Sequence, residues 1–210
     1  MNISIILSGG SGLRFGSEKP KQYHILGGKE VIAYVVEAVS RSRLTDKTLI
    51  VASAPLAYEA DYAPSGKMHN DSVKSALDHI HAHYPECEKV VFLDAARPFV
   101  TGETVDKYYE FLDDYDAVIT AQRITDSLGK EGVRFVDRTD YFLIQKPEAF
   151  RFALLYEHFA AESAKTAIVQ QLPDEARVYN YFDYGLNLKI TYPDDIIIAE
   201  ELMNTRGDQL

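Results

Sequence analysis

Ser8-Gly9-Gly10-Ser11-Gly12-Leu13-Arg14-Phe15-Gly16-Ser17-Glu18-Lys19-Pro20-Lys21-Gln22-Tyr23, directly after the apolar run Ile3 to Leu7, is the stretch from which the rest of the chain is read. An apolar strand that opens into a glycine loop leaves backbone N–H groups uncovered by side chains, so they face an anion at close range. Arg14, Lys19 and Lys21 add positive charge to the same loop, and Pro20 stiffens the backbone just before Lys21. The pattern predicts a site for more than one phosphate. The bland alternative is a glycine turn with solvated lysines, and the coincidence of glycines, Arg14 and lysines at one strand end weighs against it.

Two better-known glycine loops do not fit. A P-loop needs G-x-x-x-x-G-K-[ST], and neither Gly28-Lys29 nor Gly66-Lys67 is followed by Ser or Thr. A dinucleotide fingerprint needs a third glycine three residues after the second; Phe15 stands there, with the glycine displaced to Gly16. An arginine two residues past Gly12 suits a triphosphate better than a dinucleotide pyrophosphate.

Composition sets the outer bounds. A chain of 210 residues with 46% apolar and 26% charged residues is expected to form one domain with a full core. No apolar run reaches membrane-spanning length, and no basic segment precedes an apolar stretch at the N-terminus, so a cytoplasmic protein is expected. Cys87 is the sole cysteine, which excludes an internal disulfide and any zinc site built on several thiolates. A net charge of −10 argues against nucleic acid as a partner, yet a local cluster of cations can still dominate the field in a cleft.

Beyond the loop, Val31, Ile32, Val35, Val36 and Val39 predict a helix from about Glu30 to Arg41, and Leu49-Ile50-Val51 a second strand. Pro55 to Ala63 reads as helical. Val73, Ala76, Leu77 and Ile80 predict another helix, capped by Asn70 or Asp71, and Lys89 to Leu93 a third strand. A helix over Thr104–Leu112 and a strand over Ala117–Ala121 follow. The polar stretch 125–138, with Gly129, Gly132 and the alternation Val133-Arg134-Phe135-Val136, reads as a β-hairpin arm. Pro147 is expected to open a helix through about Phe159, Leu186 to Thr191 to form a last strand, and Pro193 to open a terminal helix with Ile196, Ile197, Ala199 and Leu202 inward. Strands alternating with helices predict a mostly parallel α/β sheet, whose ligands sit outside the carboxyl ends of the strands. Asp94-Ala95-Ala96-Arg97-Pro98 occupies that edge as the first loop does, as a metal and phosphate pair or as an Asp–Arg pair closing a turn.

Several stretches, in order and across nearly the whole chain, resemble one family. Ser8-Gly9-Gly10-Ser11-Gly12-x-Arg14, Lys19-Pro20-Lys21-Gln22-Tyr23, Ser72-Val73, Asp94-Ala95-Ala96-Arg97-Pro98, Asp137-Arg138, Gln145-x-Pro147-x-x-Phe150 and Lys189-x-Thr191-x-Pro193-x-Asp195 are similar to the cytidylyltransferases, in the branch acting on 2-C-methyl-D-erythritol 4-phosphate or ribitol 5-phosphate. The resemblance implies a Rossmann-like nucleotidyltransferase fold, a mostly parallel twisted sheet flanked by helices, with 125–138 as a dimerisation arm. It implies transfer from CTP to a polyol phosphate, giving a CDP-alcohol and pyrophosphate. By the same resemblance Ser8, Gly9, Gly10, Ser11 and Gly12 hold the triphosphate, Ser72 belongs to the cytosine and ribose pocket, and Arg14 and Lys21 stabilise charge at the α-phosphate. Asp94, Arg97, Ser127, Arg138 and Lys189 lie around the acceptor, Arg138 and Lys189 as catalytic residues, and Asp94 is the ligand for Mg²⁺.

Elementary chemistry agrees with such roles. Two anions must approach each other, so cations are needed on both sides, and a phosphate oxygen is already a nucleophile at neutral pH. No general base is required, in keeping with the lack of a His beside the motifs. The chain also departs from the family. His69 replaces an arginine usual three residues before Ser-Val, Lys146 replaces the threonine of Gln-Thr-Pro, Ser127 stands for a threonine, and the arm is short. Lys146 is expected in solvent.

These departures favour ribitol 5-phosphate or a similar polyol phosphate over the methylerythritol phosphate. They leave open a sugar-1-phosphate nucleotidyltransferase using another nucleotide, and a non-catalytic nucleotide-binding homologue. His79, His81 and His83 are expected on a solvated helix face, because no third metal ligand stands near and Val73, Ala76, Leu77 and Ile80 already supply the apolar face.

Overall fold

The computed structural model describes residues 1–10, 15, 16 and 19–206, and only the backbone of Arg206. Its elements are β1 (Asn2–Leu7), β2 (Ile25–Leu26), β3 (Lys29–Glu30), α1 (Val31–Ser40), β4 (Lys47–Ala52), β5 (Asp61–Pro64), α2 (His69–His83), β6 (Lys89–Asp94), α3 (Gly102–Phe111), β7 (Ala117–Arg123), β8 (Phe142–Arg151), α4 (Phe152–His158), β9 (Val178–Tyr181) and α5 (Asp194–Arg206). Seven strands form one sheet in the order β5-β4-β1-β6-β8-β7-β9. Neighbours from β5 to β6 are parallel, β8 runs antiparallel to β6 and β7, and β9 is parallel to β7. The mostly parallel sheet expected from the alternation of elements is present, with one reversed strand inside it.

β1 is anchored on both faces. Ile3 and Ile5 pack with Leu77 and Ile80 of α2 and Phe152 and Leu155 of α4; Ile6 packs on the other face with Ile32 and Val35 of α1 and Val105 and Tyr108 of α3. Each such side chain, fully buried, contributes roughly 1.5–3 kcal/mol. A strand held this firmly delivers Ser8 to the carboxyl edge of the sheet at a fixed height. Helix ends follow local chemistry: Thr101 Oγ1 accepts from Thr104 N at 3.2 Å at the start of α3, and Asp71 Oδ2 accepts from Met68 N at 2.9 Å at the start of α2. A third apolar cluster, including Phe15, Leu26, Phe99, Ile190 and Ala199, sits under α5.

The structure corrects five sequence expectations. Residues 55–60 form no helix, and Asp61–Pro64 is an edge strand on β4; Pro64 is tolerated because the outer side of an edge strand needs no donor. Pro147 lies within β8: pairing with β7 jumps from Ile119↔Glu148 to Thr120↔Gln145, so Lys146 and Pro147 form the irregularity, where a missing N–H breaks no ladder bond. The helix then begins only at Phe152.

Leu186 to Thr191 has no strand partner among the described residues, and the last strand is instead β9, whose Tyr179 and Tyr181 pack against Phe111 of α3. In α5, Ile196, Ala199 and Leu202 turn inward, but Ile197 is 67% exposed, because helical spacing puts it a third of a turn away from them. The arm is not a β-hairpin. Among the described residues, 125–138 holds only an isolated bridge, Lys130 to Val133, around Gly132 at φ +75°, and almost all of it is exposed. A two-stranded ribbon with no face to bury has little to stabilise a longer ladder.

Candidate active site

The loop after β1 is built for close approach. Ser8 N donates to Val51 O at 2.8 Å, so the chain leaves the sheet while still tied to β4. A Cβ at Gly9 would lie 2.2 Å from Ser65 Cβ, which explains the glycine directly. Gln22 is buried and its Nε2 donates to Ser8 O at 2.7 Å and Gly10 O at 3.3 Å. Two carbonyls of the loop are thereby turned to the protein and kept from an arriving anion. Tyr23 OH bonds Ser8 Oγ at 3.1 Å. The Gln-Tyr pair after Lys21 thus shapes the loop; sequence reading singled out the pair without finding this work.

The facing turn is made by residues 65–72. Gly66 N donates to Ser72 Oγ at 3.0 Å, and a Cβ on Gly66 would fall 2.0 Å from Asp71 Cβ. Gly66-Lys67, dismissed as a P-loop, lines the site by this different route. His69 stands in the first turn of α2, its ring exposed at the rim although protein surrounds it on most sides. Loss of water contact and then the charge of Lys146 lower its pKa to about 4, with Asp94 opposing and Lys189 adding to the fall. His69 therefore adds no charge to the cleft at neutral pH.

Opposite lies a charge cluster at the end of β6. Asp94 Oδ2 takes Lys189 Nζ at 2.8 Å and Arg97 Nε at 3.1 Å, and Arg97 Nη1 donates to Asn187 O at 2.6 Å. Burial pushes the Asp94 carboxyl up, but Lys189, Arg97 and Lys146 outweigh it and hold the group well below the usual carboxylate range. Asp94 is ionised, and the cluster carries net positive charge.

Ser8, Gly9, Gly10, Lys21, Ser72, Asp94 and Lys189 border one cleft of about 620 Å³, within the range of small-molecule sites. Arg97 stands behind Asp94 rather than on the surface of the cleft. Ser11, Gly12 and Arg14 lie outside the described residues. Ser127 and Arg138 are exposed on the 125–138 segment and do not border this cleft; Arg138 donates to Thr125 O. Lys146 is not in solvent. It is 8% exposed and pairs with Glu148, 1% exposed, over the Phe92 ring. Sequence reading missed it because a lone lysine carries no sign of the carboxylate two residues on that faces the same side of a strand.

The donor set for a metal is thin. Among the described residues no group of three or more His, Cys, Asp or Glu converges. Asp94 gives one carboxylate, already engaged through Oδ2 by two cations. That fits a Mg²⁺ held chiefly by substrate phosphates, with one protein oxygen at most.

A mostly parallel sheet whose first strand ends in a glycine-bearing loop, with Lys21 and Lys189 bordering the same cleft of nucleotide size, is the arrangement of a nucleotidyltransferase. The family model for IspD, 2-C-methyl-D-erythritol 4-phosphate cytidylyltransferase, matches residues 2–205, and the chain belongs to this family. It is 30% identical over 214 residues to a bifunctional IspD/IspF enzyme of Granulibacter bethesdensis, covering 96% of this chain and 56% of that protein. It is 27% identical over 233 residues to the Haemophilus influenzae bifunctional ribulose 5-phosphate reductase/CDP-ribitol pyrophosphorylase Bcs1, covering 98% of this chain and 49% of that one. The chain thus spans about half the length of these bifunctional relatives. The 4-diphosphocytidyl-2C-methyl-D-erythritol synthase structure from Anaerococcus prevotii superposes with a TM-score of 0.80 at 26% identity, over 97% of this chain and 98% of that one. Among the described residues no helix is long and apolar enough to cross a membrane.

Proposed function

We propose that this chain transfers a cytidylyl group from CTP to the phosphate of a sugar alcohol, with 2-C-methyl-D-erythritol 4-phosphate as the first candidate. The carrying observation is that Lys21 with the glycine loop and Lys189 with Asp94 border the same cleft. In the reaction an oxygen of the acceptor phosphate attacks the α-phosphorus of CTP, the bond from that phosphorus to the α,β-bridging oxygen breaks, and pyrophosphate leaves with the electron pair. The loop amides and Lys21 hold the triphosphate, and Arg14 joins them at the α-phosphate. Lys189, with Arg97 behind Asp94, attracts the acceptor. Two like charges at about 4 Å repel by roughly 4 kcal/mol in a partly dry cleft, so cations on both walls are what allow contact. Mg²⁺, when bound, would neutralise phosphate oxygens, and Asp94 would be the residue to hold it.

Ser127 and Arg138 enter this reading through a second copy of the chain. The 125–138 segment is the proposed dimerisation arm of a single nucleotidyltransferase domain, and it carries both residues exposed. A cytoplasmic homodimer fits this picture. Ribitol 5-phosphate is the second acceptor, favoured by the Haemophilus influenzae relative. The family match reverses the order of acceptors drawn from His69, Lys146, Ser127 and the short arm.

The test is pyrophosphate release with each nucleoside triphosphate against both acceptors. CTP with one of them is the expected pair, and Lys21→Ala and Lys189→Ala should abolish turnover in folded protein. Turnover only with UTP or GTP removes the cytosine assignment, and CTP binding without pyrophosphate release on either acceptor leaves the non-catalytic reading.

A further inference from the structure

Lys189 sits in a segment, residues 186–191, with no sheet partner among the described residues, so its place is fixed by individual contacts. On its C-terminal side Ile190 N donates to Ala96 O at 2.8 Å. On its N-terminal side the contact is Asn187. Both hydrogens of its Nδ2 go to β8, to Gln145 Oε1 at 2.7 Å and Lys146 O at 2.9 Å. Its backbone carbonyl accepts from Arg97 Nη1 at 2.6 Å, and Arg97 reaches on to the Asp94 oxygen that also holds Lys189.

We infer that Asn187 is a positioning residue for the acceptor-side cations: it clamps the strandless segment to β8 and, through its carbonyl, aims Arg97 at Asp94, so that Lys189 is held over the cleft. The kinetic consequence rests on the cytidylyltransferase reading; the geometric one stands without it. The residue type follows from the contacts. Aspartate has the same shape but no hydrogen for either acceptor, and serine has one hydrogen for two. The clamp is itself anchored, because Gln145 Nε2 donates to Gln122 Oε1 near the end of β7, where the 125–138 segment departs.

The experiment compares wild type, Asn187→Ala, Asn187→Asp and Gln145→Ala by two readouts. One is kcat and KM for CTP and for 2-C-methyl-D-erythritol 4-phosphate, from pyrophosphate release. The other is the Arg97 Nε–H signal in a ¹⁵N NMR spectrum, with its rate of hydrogen exchange. In Asn187→Ala the acceptor KM should rise about tenfold and kcat fall, as expected for loss of two hydrogen bonds of ordinary strength, while KM for CTP stays within about twofold. Asn187→Asp should lose more, because it opposes a carboxylate to two acceptors. Gln145→Ala should lose less, since Lys146 O remains. The Arg97 signal should shift and exchange faster in the order of these losses. An unmoved Arg97 signal in folded Asn187→Ala overturns the inference, and so does an equal rise in both KM values. Should Asn187→Ala not fold, Gln145→Ala carries the same two readouts. A wild type inactive on every acceptor defeats the parent reading instead, and the Arg97 signal then decides this one.

Discussion

Removing the ammonium of Lys146 should strand a carboxylate in the interior. Glu148 is 1% exposed, on a strand covered on both sides, and its partner is the Lys146 Nζ, itself 5.9 Å from the centre of the Phe92 ring. Lys146→Met keeps the apolar stem and deletes only the charge. Breaking such a pair from one side costs about 3–5 kcal/mol. In a chain of this size each kcal/mol is worth about 2–4 °C, so the melting temperature should fall by roughly 6–20 °C. Lys146→Met/Glu148→Leu removes both charges at similar volume and should recover most of the loss. Differential scanning calorimetry at pH 7 makes the comparison. A single variant melting within about 2 °C of wild type refutes the reasoning, because that is the behaviour of an exposed lysine.

Three further outcomes are expected. Gly9→Ala forces a Cβ into Ser65 Cβ, so the loop must shift, and KM for CTP should rise with kcat falling while melting changes less; unchanged kinetics would show that the contact yields freely. Asp94 has a folded pKa lowered from the 3.8 of the unfolded chain, so it contributes stability present above that value and lost as pH falls below it. Asp94→Asn should therefore lose less stability than wild type between about pH 4 and pH 2, by acid titration followed with circular dichroism. His69, lowered to about 4, takes up its proton later than in the unfolded chain, so it weakens the fold as pH falls from about 6.5 toward 4; an NMR midpoint near 6.5 would refute the placement beside Lys146 and Lys189.

The parts of this protein legible in sequence are those whose signal is local. Ile3 to Leu7 followed by glycines announced a buried strand ending at the edge of a cleft, and the spacing of Val73, Ala76, Leu77 and Ile80 announced the inner face of α2. Pro147 misled because one residue carries two meanings, a helix start in isolation and a break in pairing beside β7, and only the partner strand selects between them. Lys189 was found by resemblance but its support was not, since Asn187 acts on residues 41 and 42 positions away. Gln22 was visible only as a neighbour of Lys21. Its bond to a carbonyl 14 residues back exists only once the loop has folded. Tyr179 and Tyr181 lie in β9, the edge strand beside β7, whose place only its parallel pairing shows.

The close fit of Gly9 against Ser65 has a mechanical consequence. It sets the loop after β1 directly against the residue that follows β5, so any side chain added at Gly9 must displace that turn. The side of the cleft that carries Lys189 rests instead on individual hydrogen bonds at Asn187 and Ile190.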